Sequence, residues 1–465
     1  MQLYNSLSKK VEPFTPLKDN SVRIYSCGPT VYDHIHIGNL SSFIVADTLR
    51  RVLKLTGHDV THVMNFTDVD DKTIRRSRES YPDLEPLLAL EKLTSEYSAI
   101  FLDDMAAVGN DLAGYTFIKA TEAIPAMQEL IRELHAKKFA YIADDGVYFS
   151  ISAYKQSGKK YGQLVDITAS STSEARIAND EYDKESAHDF ALWKTQKEGE
   201  PAWDFELDGQ NLAGRPGWHI ECSAMSHEKL GQPFDIHTGG VDLKFPHHEN
   251  EIAQSTAGKD DPLYAKVFVH NEHLLVDGQK MSKSLNNFYT LKDIIDKGFE
   301  PLAFRLLVLQ SHYRNQAHFT WDNLEASQNA LNNFREWADL QFQSLNSEHL
   351  KTNYQEAMQS FDNEIAEDLK TPAALAVLNG MVNHAVDLGI DSGAIAQVLP
   401  VVDKIFGLGL TNRQDISSEQ KQALTERDEA RKNQDWAKSD ELRDKLAEQG
   451  IGLRDTPNGA IWFRL

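Results

Sequence analysis

The stretch Val22-Arg-Ile-Tyr-Ser-Cys27-Gly-Pro-Thr-Val-Tyr-Asp-His-Ile-His36-Ile-Gly38-Asn39 decides how the rest of the chain is read. Its apolar run from Val22 to Cys27 is a short strand candidate. Beyond Gly38 and Asn39, the apolar positions Phe43, Ala46, Leu49, Val52 and Leu53 recur at helical spacing. Gly57 closes that helix, and Val60-Thr-His-Val-Met-Asn-Phe66 resumes a β-type pattern. Strand, helix and strand at this length form a βαβ crossover, which predicts an α/β protein with a Rossmann-like, doubly wound parallel sheet. A nucleotide in such a sheet sits at a strand's carboxyl end, against the start of the next helix.

Outward from that unit the pattern changes several times. Phe139-Ala-Tyr-Ile-Ala143, a turn at Asp144-Asp145-Gly146 and Val147-Tyr-Phe-Ser-Ile151 predict a hairpin. Residues 154–187 are polar and weakly patterned, and they belong to an insertion in the sheet set at about 112–205. The β-like run Ala265-Lys-Val-Phe-Val-His270 leads towards Lys280-Met-Ser-Lys283-Ser284. From about residue 321 the spacing is helical, with Leu324, Leu331, Phe334, Ala338 and Phe342 on one face. Thr371-Pro372 opens another helix. After Gly407-Leu-Gly-Leu-Thr-Asn412 a small unit begins, with two helices, Gly450 as a cap and a hairpin through Pro457-Asn458-Gly459. The expected division is a catalytic domain over 1–245 carrying the insertion, and its remainder with the Lys280 segment over 246–315. A helical bundle over 316–408 and a small α+β C-terminal domain over 409–465 complete it.

The 465 residues suffice for about three domains at ~150 residues each. An apolar fraction of 41% with 25% charged residues is that of an ordinary globular protein. A formal charge of −22 excludes a surface that grips nucleic acid indiscriminately, because phosphate binding rests on Lys and Arg. Local basic patches remain available at Arg50, Arg51 and Lys54, at Arg75 and Arg76, and at Lys137 and Lys138; the alternative for each is a solvated helix face. Residues 417–465 hold nine basic and ten acidic residues, which leaves −21 on the preceding 416. That tail is the least repulsive surface for a polyanion. Met1–Lys10 has no apolar core of signal-peptide length, and no stretch reaches the ~20 apolar residues of a membrane span. A cytoplasmic protein that does not engage the membrane is expected.

Only two cysteines occur, and each stands in a motif that could use a metal ligand. Cys222 lies in Gly214-Arg-Pro-Gly-Trp218-His-Ile-Glu-Cys222-Ser-Ala-Met225, and 25 residues later comes His247-His248-Glu249-Asn250-Glu251. Two thiolates, an imidazole and a carboxylate are ligands that zinc accepts. The plainer alternatives are two buried, inert small side chains or a disulfide, and the latter needs an oxidising compartment.

His36-Ile-Gly38-Asn39 and Lys280-Met-Ser-Lys283-Ser284, about 240 residues apart on an α/β pattern, together resemble the two signatures of class I aminoacyl-tRNA synthetases. Attack of a carboxylate on the α-phosphate of ATP builds negative charge, which His, amide and Lys donors can stabilise. Gly38 lets backbone approach the nucleotide at the helix start. The resemblance narrows with Cys27-Gly-Pro-Thr-Val-Tyr-Asp33, Asn65-Phe-Thr67-Asp-Val-Asp-Asp-Lys72, the Cys222 motif, Asp235-Ile-His237-Thr-Gly-Gly240 and Phe245-Pro-His-His-Glu-Asn-Glu-Ile-Ala-Gln254. From residue 2 to Trp462 the chain is similar to the cysteinyl-tRNA synthetase family.

The resemblance implies a cysteine–tRNA ligase that uses L-cysteine, ATP with Mg²⁺, cysteine tRNA and one Zn²⁺ per chain, acting as a monomer. The zinc ligands it implies are Cys27, Cys222, His247 and Glu251; the last two are four apart, so one helix face can present both. The zinc-protease pattern His-Glu-x-x-His fails, because Ile252 stands where its second histidine belongs. By the same resemblance Thr30, His36, Gly38, Asn39, Lys280 and Lys283 serve ATP, with His36, Asn39, Lys280 and Lys283 catalytic. Thr67, Trp218 and His237 line the cysteine pocket; their plainer roles are a capping residue, a core aromatic and a satisfied buried histidine. Arg431, Trp436, Asp440 and Asp455 correspond to residues near the anticodon, although Trp436 could equally anchor the small domain's core. Two departures stand out: the first signature ends in Asn39 where the family often has His, and Leu40-Ser41-Ser42 replace a common basic residue. Rival readings are a ligase that joins cysteine to an amino sugar, a catalytically silent relative that binds zinc or tRNA, and a nucleotidyltransferase. The tail argues against the first and last, and the intact Lys280–Ser284 motif against the second.

Overall fold

A computed structural model describes residues 1–166, 189–259, 261–281, 287–343, 354–387, 392–456 and 459–465. Lys283 with its neighbours Ser282 and Ser284, most of the polar stretch 154–187, and Pro457 with Asn458 lie outside the described residues.

The chain divides into two compact units, Met1–Ile294 with Tyr313–His318, and Ile295–His312 with Phe319–Leu465. The first is built on a five-stranded sheet. Its elements are β1 (Ser21–Ser26), α1 (Ile37–Leu55), β2 (Asp59–Phe66), β3 (Tyr115–Lys119), α2 (Trp218–Leu230), β4 (Phe234–Gly240), α3 (His247–Gly258) and β5 (Ala265–Asn271). The strand order is β5-β4-β1-β2-β3, every pairing parallel. The expected βαβ unit is present with Phe43, Ala46, Leu49, Val52 and Leu53 all buried on α1, and Gly57 leaves the helix at φ +90°, a conformation that side chains resist. From β1 the order runs one way to β3 and the other way to β4 and β5. The carboxyl ends of β1 and β4 therefore flank the switch point of the sheet, where such folds bind ligands.

The insertion begins later than residue 112, because Tyr115–Lys119 is the sheet's edge strand, paired with β2. The chain leaves the sheet after Lys119 and rejoins it at Phe234. On the way the hairpin Ala140–Ala143 and Gly146–Phe149 is extended by Phe190–Thr195 and Gly214–Pro216 into a four-stranded antiparallel sheet. The hairpin is shorter than its sequence suggested: Ser150 caps a helix, Ile151–Gln156, by accepting from the Ala153 amide. Part of the polar stretch is also core, since Tyr154, Tyr161 and Leu164 are buried.

Helix α3 is buried at every position although it opens His-His-Glu-Asn-Glu. Buried polar side chains must find partners. Glu249 does so away from the sheet, accepting the amides of Gly162, Gln163 and Leu164 at 2.6, 2.7 and 2.9 Å. Of the sequence-read basic patches, Arg50 drops out. Its side chain is fully buried against Asp47 and Asp111, and Arg51 also binds Asp47.

The second unit carries the helices Trp321–Asp339, Tyr354–Ala366, Thr371–Asp387 and Ser392–Phe406. Leu324, Leu331, Phe334 and Ala338 form a buried face as expected, whereas Phe342 sits in a 3₁₀ turn and packs on the tail's core. That tail has helices Ser418–Lys432 and Trp436–Glu448 and the antiparallel pair Ile451–Thr456 and Gly459–Arg464. Among the described residues no helix is long and apolar enough to cross a membrane.

Candidate metal and adenylate site

Three distant segments meet at the switch point. Cys27 follows β1 directly, Cys222 lies in α2, and His247 and Glu251 lie one turn apart on α3. Cys27 Sγ is 3.7 Å from Cys222 Sγ and 3.6 Å from Glu251 Oε1, and His247 Nε2 is 2.9 Å from Glu251 Oε1. The four ligand atoms all fall within 4.8 Å of one another. A tetrahedral zinc with bonds of about 2.0–2.3 Å separates its ligand atoms by roughly 3.3–3.8 Å; the Cys27 separations already lie in that range, and the His247–Glu251 pair need only open slightly. The four residues fit zinc both in donor chemistry and in spacing.

Burial, hydrogen bonds and neighbouring charges divide the protons among the four. Burial pushes the Cys27 thiol well up, and Cys222 beside it adds to this. Cys222 comes down to about 6: burial works against that, and hydrogen bonds to Cys27 and His247 outweigh it. Burial likewise opposes charge on His247, but Glu251 and Cys222 carry it up to about 10. Glu251 stays well below the usual carboxylate range despite burial, because His237 and His247 face it. A metal held by these residues would displace those protons.

Around the four ligands stands a second layer. His237 Nε2 meets Glu251 Oε2 at 2.7 Å, and the Tyr264 hydroxyl donates to the same oxygen at 2.9 Å. His219 and His247 pair through their Nδ1 atoms at 2.9 Å. His248 Nε2 lies 3.4 Å from Cys27 Sγ, while its Nδ1 pairs with His270 Nε2 at 2.8 Å and His270 reaches Ser6. Cys27, His237, His248 and Glu251 thus form an overlapping donor set.

Thr67 and Trp218 join this centre from either side. Trp218, half-buried at the start of α2, stacks on the His247 ring with centroids 4.1 Å apart. Thr67 is buried and donates to Glu221 Oε2 at 2.7 Å while accepting from Asn65 Nδ2 at 3.3 Å. Asn65 Oδ1 accepts the Gly28 amide at 2.8 Å and stands 3.7 Å from Cys222 Sγ. Gly28 is obligatory, since a Cβ there would lie 1.7 Å from the Asn65 carbonyl oxygen. Sequence reasoning passed over Asn65, Glu221, His248, His270 and Tyr264. The first three sit inside the quoted motifs, so their neighbours gave the signal; Tyr264 and His270 had none.

The two short signatures also come together. His36 caps α1, its Nδ1 accepting the Asn39 amide at 3.1 Å. Burial foremost lowers its pKa to about 4, so the ring is neutral and keeps Nε2–H as a donor. A Cβ on Gly38 would come within 2.5 Å of Met281 Cε, inside the second signature. The Ile37 amide donates to Tyr289 O at 2.9 Å, and Phe288 meets the His36 ring edge to face. Lys280 is exposed at the end of a strand pair with Leu274–Val276, and Asn39 is exposed in the first turn of α1. Thr30 bridges to Thr67 just past the ends of β1 and β2.

Comparison with known families agrees with this architecture. Residues 13–329 match the tRNA synthetases class I (C) catalytic domain, and residues 413–464 match the cysteinyl-tRNA ligase anticodon binding domain. The chain belongs to the cysteinyl-tRNA ligase family. It is 41% identical to the cysteine–tRNA ligase of Leptospira interrogans serovar copenhageni, over 99% of each chain. To that of Solibacter usitatus it is 42% identical, over 100% of this chain and 99% of the relative. Members of the family are class I aminoacyl-tRNA synthetases, and this chain is accordingly an enzyme of that class. The methionyl-tRNA synthetase of Mycobacterium tuberculosis bound by methionyl-adenylate shares the fold, with a TM-score of 0.57 at 13% identity over 84% of this chain and 88% of that one.

In the segment that matches the family's anticodon domain, Arg431 Nη1 pairs with Asp455 Oδ2 at 3.2 Å and its guanidinium lies 5.8 Å from the Trp436 ring centroid. Trp436 is 58% exposed, which removes its alternative role as a core anchor; Trp462, 4% exposed, fills that place with Leu442, Leu446 and Ile451. Asp440 is exposed one turn further along the Trp436 helix.

Proposed function

We propose that this chain joins L-cysteine to cysteine tRNA in two steps at the switch point of its parallel sheet. The cysteine carboxylate attacks the α-phosphorus of Mg²⁺-bound ATP; the bond to the bridging oxygen breaks and pyrophosphate leaves. A ribose hydroxyl of the tRNA's terminal adenosine then attacks the acyl carbon, and AMP departs.

His36 offers a neutral N–H to the phosphates, Gly38 and Asn39 open the helix end to them, and Thr30 lies on the same rim. Lys280 and Lys283 stabilise the transition-state charge and the leaving pyrophosphate. Thr67, Trp218 and His237 enclose the cysteine. Cys27, Cys222, His247 and Glu251 would hold zinc, which when bound would supply a preference for the substrate's thiolate that a serine hydroxyl cannot match. A site built around one such group rejects its rival by roughly 10⁴–10⁵, so no editing domain is required. Arg431 and Trp436 present stacking surfaces, and Asp440 and Asp455 acceptors, for anticodon bases. The chain acts as a cytoplasmic monomer.

The observation that carries this function is the convergence of both cysteines with His247 and Glu251 in a fold where the two signatures also touch. Cysteine-dependent exchange of labelled pyrophosphate into ATP tests it, with serine as control, before and after chelation, alongside charging of cysteine tRNA. Exchange that chelation abolishes, together with charging, is expected. Exchange without charging of competent tRNA points to the amino-sugar ligase, and zinc-loaded protein with no exchange overturns the activity.

A further inference from the structure

Glu221 is an anomaly beside the metal centre. It precedes Cys222 in the first turn of α2, and its side chain is wholly buried. One oxygen, Oε2, accepts the Thr67 hydroxyl at 2.7 Å; the other, Oε1, is buried with no hydrogen-bond partner. Among the described residues no cation forms an ion pair with it. A buried carboxyl oxygen left without a donor calls for a ligand or an explanation.

The bond to Thr67 fixes the direction of a second group. A hydroxyl has one proton and two acceptor positions. Thr67 gives its proton to Glu221 and one acceptor position to Asn65 Nδ2 at 3.3 Å. What remains can only accept. Asn65 Oδ1 in turn stands 3.7 Å from Cys222 Sγ, so this acceptor lies one side chain away from the metal's thiols. In cysteine the nitrogen and the sulfur are three bonds apart, and sulfur bound at the metal brings its ammonium into this neighbourhood. An ammonium has only donors and a positive charge. It complements both the Thr67 lone pair and the open Glu221 oxygen.

We propose that Glu221 is a positioning residue for the substrate's α-ammonium. By accepting the Thr67 proton it makes Thr67 an acceptor-only contact, and its open oxygen offers a further acceptor, so the centre selects a thiol that carries an amine. This rests on the cysteine activation proposed above.

The test compares L-cysteine with 3-mercaptopropionate, which keeps the thiol and carboxylate and lacks the amine. Dissociation constants of both are measured by calorimetry on zinc-loaded protein, for the wild type, Glu221→Gln, Thr67→Val and Thr67→Ser. The wild type favours cysteine. Glu221→Gln and Thr67→Val lower that preference by about tenfold or more, as loss of a charge-assisted hydrogen bond does, with zinc content unchanged. Thr67→Ser retains the preference, and the two Thr67 variants decide the matter if Glu221→Gln does not fold. An unchanged preference, or equal weakening of both ligands, overturns the role of Glu221. A wild type with no cysteine-dependent exchange overturns the broader function instead.

Discussion

His36 is held uncharged by its surroundings, which suits the phosphate role proposed for it. Its pKa near 4 lies below the ordinary value, so the stability it lends is complete above about pH 6.5 and is lost as the pH falls through 4. An NMR titration of its ring should therefore centre near 4, and a midpoint near 6.5 would refute a buried neutral role. At the metal, the Tyr264 hydroxyl orients Glu251. Tyr264→Phe should weaken zinc binding by about tenfold or more in chelator competition, as loss of a second-layer partner does; unchanged affinity would leave Tyr264 a packing residue. The candidate cluster of Cys27, Cys222, His247 and Glu251 was legible because each residue lies in a motif whose neighbours are equally specific. Tyr264 was not, since its place beside Glu251 exists only once β5 has paired with β4. Trp436 and Trp462 make the same point: nothing local says which of two tryptophans in a small domain faces inward.

Among the elements, the loop from β1 into α1 and the helix α3 leave least room for change. Gly28→Ala drives a methyl into the backbone of β2 and should cost more than about 3 kcal/mol in denaturant unfolding, the range of severe steric lesions. A loss below 1 kcal/mol would mean that the strands can part there. Helix α3 anchors the insertion through Glu249. Glu249→Ala should speed amide exchange at Gly162, Gln163 and Leu164 while leaving β1 protected; unaltered exchange would show that the three amides have other acceptors. The βαβ unit was legible because its apolar period switches cleanly from strand to helix and back. The insertion's limits were not. Tyr115–Lys119 is an edge strand with one exposed side, so its pattern resembles the hairpin strands beyond it, and only pairing with β2 assigns it to the central sheet.

At the scale of the whole molecule, chemistry and tRNA reading fall to separate stretches of chain, one matched over 13–329 and the other over 413–464. Removing residues 413–465 should spare cysteine-dependent pyrophosphate exchange and cut charging efficiency at least tenfold, on the scale of about 1.4 kcal/mol in tRNA affinity. Equal loss of both activities would tie the tail to the chemistry. Most of this organisation was legible because helical period and turn residues mark the tail, whereas contacts such as the Gln343 side chain with the Trp462 backbone are long-range and leave no local trace. The metal centre is long-range in the same sense. Cys27 and Glu251 are 224 residues apart. At about 5–20 residues per second of synthesis, a ribosome needs roughly 11–45 s to deliver the carboxylate after the first thiol. For that interval Cys27 is a free thiol on a nascent chain, without the partners that surround it in the fold. Cells under oxidative stress should therefore accumulate damage at Cys27 faster in newly made chains than in protein folded beforehand.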